Sequence, residues 1–235
     1  MLPAALASLA PSDIAALIYV VTAWALFGWL TEHPPASRPS VSVLMVTYRR
    51  RWMDQMVTRQ PRIFDASVMD NLRQGVSFYA SASMIAIGGG AALIGNADVL
   101  ARTAEELSLP AAAAVVWQGK LVLVLLFVSD GLMKFIWAHR LFGYCAIVMA
   151  AVPNDPSDPA AYPTAARAAE INITAARNFN RGLRSIYFAL GSAAWLLGPA
   201  ALAVATTATL FVLARREFAS ESRAVLLGTD GKGGI

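Results

Sequence analysis

The chain is short of charged residues. Of its 235 residues, 14% are charged and 57% are hydrophobic, and the mean hydropathy is +0.54. A soluble domain carries about 25% charged residues, so a single water-soluble core explains this composition poorly. The charges that are present lie between long apolar stretches, which is the distribution that a lipid bilayer demands.

Cysteine and histidine are almost absent. The single cysteine, Cys145, cannot form an intramolecular disulfide, and it lies in an apolar stretch that predicts a buried thiol. The two histidines, His33 and His139, are far apart in the sequence, and no Cys/His spacing indicates a metal site. We therefore expect neither a metal nor a cofactor.

Catalytic motifs are also missing. The chain contains no G-x-S-x-G, H-E-x-x-H, P-loop or glycine-rich dinucleotide motif. This absence predicts a protein that is not an enzyme. An enzyme that acts on lipid headgroups is a weaker alternative, because arginine binds phosphate well but no base or nucleophile is evident.

Long apolar stretches predict an all-α integral membrane protein with four transmembrane helices. The predicted spans are residues 13–30, 76–95, 115–137 and 185–213. Trp117 and Trp137 bracket the third span and lie about 30 Å apart along a helix, which matches the thickness of the hydrocarbon core. Gly198 and Pro199 lie near the middle of the fourth span and predict a kink there.

Arginines predict the orientation of the chain. Residues 31–75 contain seven arginines and residues 138–184 contain five, whereas residues 96–114 contain only Arg102. The positive-inside rule places both arginine-rich segments in the cytoplasm and the N-terminus on the opposite side. Four spans also place the tail, 217–235, on that opposite side. The basic residues at this end of the chain do not fit that side: Arg215 and Arg216 directly precede the tail, and Arg223 and Lys232 lie within it. A cytoplasmic tail would require a different number of spans.

We attribute the net charge of +4 to the membrane topology as well. The arginines flank membrane segments, so we interpret them as determinants of topology that contact anionic lipid headgroups on the cytoplasmic side. Binding to nucleic acid is not expected.

The cytoplasmic segments have a helical pattern. In residues 43–57, Met45, Tyr48, Trp52 and Met56 fall on one face, which predicts an amphipathic helix on the inner leaflet. Long stretches without proline predict helices that extend beyond the bilayer into a cytoplasmic bundle. These stretches run from Arg62 to Gly95, from Trp117 to Val152 and from about Thr164 into the fourth span.

Asp130 and Lys134 are the clearest candidates for a functional site. They lie four residues apart within the third span, so they share one helix face. Ionisable residues inside a membrane are costly and suggest function. A structural ion pair, a pore-lining or ligand site and a proton relay are all compatible with this pair. Lys120 lies close to Trp117 and is interpreted as a lysine that extends to the membrane interface.

Two further groups of residues are candidates. The first consists of arginines that precede the second and fourth spans: Arg73, Arg177, Arg181 and Arg184. These side chains could form ion pairs between helices or bind an anionic headgroup. The second is a face of small residues on the second span: Ser77, Ser81, Gly88 and Ala92. Such a face fits close helix packing, either within the chain or in a dimer.

Four segments of the chain resemble a family of uncharacterised multi-pass membrane proteins from bacteria and plants, which is classed as a domain of unknown function. They are YRRRWM (48–53), RIFDASVMDNLRQGVSFYASASM (62–84), KFIWAHRLFGYCAIVMAAVP (134–153) and FNRGLRSIYFALGSAAWLLGP (179–199). The resemblance covers roughly residues 40–213. It implies four spans in a bacterial inner membrane, and it implies no activity. In such a membrane, the positive-inside rule places the N-terminus in the periplasm.

These observations lead to a functional hypothesis. We expect residues 1–216 to form one four-span helical membrane domain and residues 217–235 to form a flexible tail. Without catalytic groups, the protein would act by forming a homo-oligomer or as an accessory subunit of a membrane complex. The alternative is a small channel or transporter for ions or solutes, with a path near Asp130 and Lys134.

Overall fold

The chain folds into helices throughout the part that the structure describes. This structure is a computed structural model, and it describes residues 10–99, 102 and 114–228, none of which lies in a strand. The α-helices are α1 (Pro11–Glu32), α2 (Val41–Thr58), α3 (Ile63–Gly95), α4 (Ala114–Ala150), α5 (Ala161–Ser192), α6 (Pro199–Phe218) and α7 (Glu221–Leu227). A short 3-10 helix (Ala193–Leu197) lies between α5 and α6.

Three of these helices, α1, α3 and α4, are long and apolar enough to cross a membrane. They contain the first three predicted spans, so the chain has the helices of a membrane protein. The prediction of unusually long helices is also confirmed, because α3, α4 and α5 have 33, 37 and 32 residues. A helix of this length measures about 50 Å, which exceeds the hydrocarbon thickness of about 30 Å.

The fourth predicted span, 185–213, is divided in the structure. We expected one kinked helix, but α5 ends at Ser192, the 3-10 helix follows, and α6 begins at Pro199. The residue at the break, Gly198, has a φ of 122°, which is accessible to glycine and strained for other residues. Pro199 then suits the first position of a helix, where its missing N–H is not needed.

The two helices on either side of Gly198 fold back on each other. A Cβ atom added to Gly191 on α5 would lie 2.9 Å from Thr209 Oγ1 and 3.6 Å from the carbonyl oxygen of Ala205, both on α6. In one continuous helix, positions 191 and 209 would be about 27 Å apart. The end of α5 and α6 therefore form a helical hairpin.

The helices contribute to two compact units. The first unit consists of Met1–Trp29, Ala82–Leu132 and Leu183–Ala214. Inside this unit, α1 and α5 run antiparallel, because Asp13 accepts a hydrogen bond from Trp195 and Trp24 donates one to Ser185. Gly90 on α3 allows a close approach to α4, since a Cβ atom there would lie 2.4 Å from a methyl group of Leu125.

The second unit consists of Leu30–Ser81, Met133–Gly182 and Arg215–Ile235. It therefore contains the first arginine-rich segment, the second one up to Gly182, and the described part of the tail. Its interior is filled by large side chains from α2 and α4, among them Met53, Met56, Phe135 and Phe142, each at most 1% exposed. The ring of Phe135 occupies the space that a side chain at position 182 would take, which requires glycine at that point of α5.

Helix α2 confirms the predicted helix, and its buried face matches the predicted apolar face only in part, at Met56. Its N-terminus is capped by Ser40, which accepts a hydrogen bond from the backbone N–H of Val43. Met53, Met56 and Val57 are buried in the second unit, whereas Tyr48 of the expected apolar face is 43% exposed. The apolar side of α2 thus packs against protein in this unit, while the sequence pattern led us to expect contact with lipid.

The tail, expected to be flexible over 217–235, is ordered in its described part. Ser220 caps α7 by accepting a hydrogen bond from the N–H of Arg223. The Arg223 guanidinium donates to the carbonyl oxygen of Pro39 at 2.9 Å, and Glu217 accepts hydrogen bonds from the N–H and the hydroxyl of Ser42. The start of the first arginine-rich segment therefore holds the tail. Residues 229–235 lie outside the described residues.

Candidate functional site

A hydrogen-bonded group of polar side chains connects three helices of the first unit. Trp24 on α1 donates through Nε1 to Ser185 Oγ on α5 at 3.3 Å, and Ser185 in turn donates to Asp130 Oδ2 on α4. Aromatic rings surround this group, since Trp24 packs edge-on against Phe127 with centroids 5.7 Å apart. Asp130, predicted from the sequence, is therefore part of a network between helices.

Arg184 lies in the same unit and is 8% exposed. Its guanidinium nitrogens lie 3.9 and 4.0 Å from the position that a Cβ atom would occupy at Gly28. The glycine on α1 thus leaves room for a buried cation on α5. Two predicted site residues, Asp130 and Arg184, belong to this unit.

A second polar group in the first unit surrounds Lys120. The ammonium group of Lys120 lies 5.0 Å above the ring of Trp117, and the residue is 8% exposed. Asp13, which accepts a hydrogen bond of 2.7 Å from Trp195 Nε1, supplies a nearby negative charge. Lys120 is thus buried among helices, although we expected it to extend to the membrane interface.

Trp117, which the sequence predicts at one edge of the bilayer, is 5% exposed and packs inside the first unit, whereas Trp137 is 47% exposed. Its face contacts the ammonium group of Lys120 at 5.0 Å, which is a favourable cation–π geometry. Its place at the edge of the bilayer stays a prediction.

Two hydroxyl groups in the first unit are buried without a partner. Ser192 on α5 and Thr206 on α6 are 0% and 1% exposed. Within the described residues, neither hydroxyl oxygen has a hydrogen-bond partner, and the same holds for Trp117 Nε1. Buried polar groups normally have a partner because leaving them unpaired is costly. The interior of this unit is therefore more polar than its apolar sequence indicates.

The remaining predicted arginines lie in the second unit and do not form one cluster. Arg181 makes a two-pronged ion pair with Glu32, with Nε 2.7 Å from Oε1. Arg177 is exposed, and Arg73 is half-buried with an Nε that has no partner among the described residues. Lys134 also belongs to this unit. For Arg181, the contact that the structure provides is an ion pair between helices.

Sequence reasoning did not identify a buried network in the second unit. Arg49 on α2 donates to Asn172 Oδ1 on α5, and Asn172 Nδ2 lies 3.7 Å from the sulfur of Cys145 on α4. Burial lowers the pKa of the Arg49 guanidinium from its ordinary value. Cys145 is 0% exposed, which confirms the prediction of a buried thiol. The neighbouring Arg50 instead makes an exposed ion pair with Glu170.

The second unit also contains a pocket of about 320 Å³. Three methionines, Met56, Met69 and Met149, form apolar walls, and Asp65 and the exposed Asp70 supply carboxylates. Asp65 is already held by Trp52 Nε1, which donates to it at 2.7 Å, and by Arg59. No group of His, Cys, Asp and Glu side chains that could hold a metal ion occurs among the described residues.

The predicted face of small residues on α3 is mostly open. Ser81, Gly88 and Ala92 are exposed, and Ser77 is half-buried. A Cβ atom at Gly88 would meet nothing within 4 Å, in contrast to Gly90, which faces Leu125. In the apolar 18-residue stretch of α3, 6% of the residues are buried, compared with 28% in that of α1 and 33% in that of α4. Among the described residues, α3 therefore has a side that no other part of the chain covers.

Comparison with known proteins gives one result. No curated protein and no solved structure matches the chain. One family model matches residues 15–222, which is most of the chain and includes α1 to α6. It is described as a protein of unknown function, DUF599. The chain therefore belongs to the DUF599 family of proteins of unknown function.

Proposed function

We propose that the chain is a multi-pass protein of the bacterial inner membrane with five passes, and that copies of it associate through α3. The passes are α1, the apolar part of α3, the apolar part of α4, the end of α5, and α6. The fifth pass comes from the hairpin at Gly198, because α6 returns beside α5. It corrects the expectation of four passes, which left the arginines of the tail on the wrong side.

The five-pass topology agrees with the distribution of charge. An odd number of passes brings the tail to the side of the two arginine-rich segments, as the positive-inside rule requires. The hydrogen bonds of Glu217 and Arg223 to the start of α2 support this placement, since all of these residues belong to the second unit. Exposed arginines such as Arg51, Arg167 and Arg177 are then available to anionic headgroups.

Accessibility of single cysteines tests the topology. In a Cys145→Ser background, one cysteine is introduced by Ser157→Cys, Ser222→Cys or Arg102→Cys, all at exposed positions. In intact cells, an impermeant maleimide should label only Arg102→Cys, and the other two should react after the membrane is opened. Labelling of Ser222→Cys in intact cells would contradict five passes and restore an even number.

The open side of α3 supports association. In lipid, no hydrophobic force drives helices together. Helices therefore associate where small residues let their backbones come close. Gly88 and Ala92 lie four residues apart on the same face of α3. Within one chain, only 6% of the apolar stretch of this helix is buried. A second copy would present the same face, as in a symmetric dimer. This low burial is the observation that carries the proposal.

Leucine substitutions test this interface. The double variant Gly88→Leu/Ala92→Leu should yield a particle of lower mass than the wild type in mild detergent, because the larger side chains keep the backbones apart. The control is Ala86→Leu, an exposed alanine on the opposite side of the helix, and it should leave the mass unchanged. An unchanged mass for the double variant would contradict association through this face.

A further inference from the structure

We propose that the first unit carries protons between its two ends, through the carboxylates of Asp13 and Asp130 and the hydroxyl groups of Ser192, Thr206 and Ser185. This activity is distinct from association through α3, because all of these residues belong to one chain and one unit.

One end of the route is the group around Asp13. Its carboxylate accepts a hydrogen bond from Trp195, and its charge acts on the buried Lys120. The ammonium group of Lys120 is held over the ring of Trp117. The ammonium group of Lys120 compensates the negative charge of the ionised Asp13 carboxylate inside the unit. Lys120 is thus a positioning residue.

The other end is the group around Asp130. Ser185 donates to its carboxylate, and Trp24 donates to Ser185. Arg184, the next residue on α5, is buried in the same unit and supplies a positive charge. Each end therefore has one carboxylate, and the unit also buries two cations, Lys120 and Arg184. Carboxylates with hydroxyl partners inside a membrane are the residue types of proton relays.

The two ends of the route are separated by a similar distance along two helices. The helical rise is about 15 Å from Asp13 to Trp24 on α1, and it is about 15 Å from Lys120 to Asp130 on α4. Ser192, the last residue of α5, lies in the chain between Ser185 on α5 and Trp195 in the 3-10 helix, and Thr206 lies on α6, the other helix of the hairpin. Both hydroxyls are buried, and neither has a partner among the described residues. Proton exchange along the route therefore requires water molecules that link these hydroxyls to the two ends.

The chemistry favours protons over larger ions. The helices approach closely at Gly90 and Gly191, whereas a hydrated ion needs a wide passage. A proton needs only a series of groups that both donate and accept hydrogen bonds.

The transfer balances in protons and charge. A carboxylate at one end binds a proton from solution and passes it to a hydroxyl oxygen, which releases its own proton to the next group. The carboxylate at the other end receives a proton and releases it to solution. Only O–H bonds are formed and broken, every group returns to its initial state, and the proton gradient supplies the driving force.

Flux measurements in liposomes test the route. Purified full-length protein is reconstituted with a pH-sensitive dye inside, and a potassium gradient with valinomycin drives proton entry. Wild-type liposomes should acidify faster than protein-free liposomes. Asp130→Asn should reduce the rate to that of protein-free liposomes, and Asp130→Glu should restore it. Ser192→Ala/Thr206→Val, which removes two hydroxyls with little change in volume, should slow acidification.

Two controls distinguish a conducting role from a structural one. Asp65→Asn changes a buried carboxylate of the second unit and should conduct like the wild type. Each variant is included only if it elutes as the wild type does in size-exclusion chromatography. Wild-type flux equal to that of protein-free liposomes, or full flux in both Asp130→Asn and the hydroxyl variant, would overturn the proposal. Loss of flux in Gly88→Leu/Ala92→Leu would overturn a route within one chain.

Discussion

At the scale of residues, neighbouring arginines have different roles that the sequence does not distinguish. Arg49, Arg50 and Arg51 follow one another in α2, yet Arg49 reaches the fully buried Asn172 and Arg50 pairs with the exposed Glu170. A helix turns by about 100° per residue, so consecutive side chains point in different directions. Which of them points inward depends on the neighbouring helices.

A pair of matched substitutions tests this difference. Arg49→Met keeps an apolar stem but leaves the buried oxygen of Asn172 without a donor, which should cost about 1–3 kcal/mol of stability. Arg50→Met removes an exposed ion pair, which contributes little in water, and it should leave the unfolding temperature nearly unchanged. Thermal unfolding in detergent measures both variants. Equal changes in unfolding temperature would show that the buried hydrogen bond of Arg49 stabilises the protein no more than the exposed ion pair of Arg50 does.

At the scale of elements, the hairpin between α5 and α6 differs most from the sequence prediction. An apolar stretch of 29 residues reads as one long span, since hydropathy does not show where a chain reverses direction. Gly198 and Pro199 were recognised as a point of bending. Their effect is a full reversal because Gly198 adopts a positive φ and Gly191 provides space for α6.

A disulfide tests the hairpin directly. The variant Gly191→Cys/Thr209→Cys in a Cys145→Ser background should form an intramolecular bond under mild oxidation in native membranes. Disulfides require Cβ atoms about 3.5–4.5 Å apart, and the two positions meet this requirement only if α6 lies beside α5. Faster migration on a non-reducing gel detects the bond. As a control, Gly191→Cys/Val204→Cys places the second cysteine at an exposed position and should remain reduced. A kinked single helix would leave both variants reduced.

At the scale of the whole molecule, hydrogen bonds join the end of α6 and the helix α7 to the first arginine-rich segment. Glu217 accepts a hydrogen bond from Ser42, and Arg223 donates one to the carbonyl oxygen of Pro39. The two partners of each bond lie about 180 residues apart in the chain. The tail is therefore part of the second unit. The sequence analysis predicts a flexible segment there, because local sequence does not show contacts with residues that are distant in the chain.

Substitution of these contacts should release the tail. Glu217→Ala/Arg223→Ala removes the hydrogen bonds to α2 and its preceding loop, so limited proteolysis should remove the C-terminal residues faster than in the wild type. Arg215→Ala changes an exposed arginine of the same region and should leave the cleavage rate as it is. Mass spectrometry of the fragments identifies the cleavage site. Equal rates for all three proteins would contradict a role of these contacts in holding the tail.

The sequence alone determined the class of the protein and much of its secondary structure. Apolar segments of membrane length, clustered charges and long stretches without proline depend on local composition, so they predicted α1, α3 and α4 and the unusual length of α3 to α5. The burial of Cys145 also followed from its apolar surroundings. Family membership followed from segments such as YRRRWM (48–53), which contribute residues to the matched range.

Only the tertiary structure decided which polar side chains meet. Lys120, Ser192 and Thr206 lie in apolar stretches with no local signal, and their burial depends on the helices that surround them. Asp130 was visible in the sequence, but its partner Ser185 lies 55 residues away on another helix. The reversal at Gly198 determines where α6 packs. Local sequence specifies where a helix forms, whereas contacts between distant segments specify which of its faces is buried.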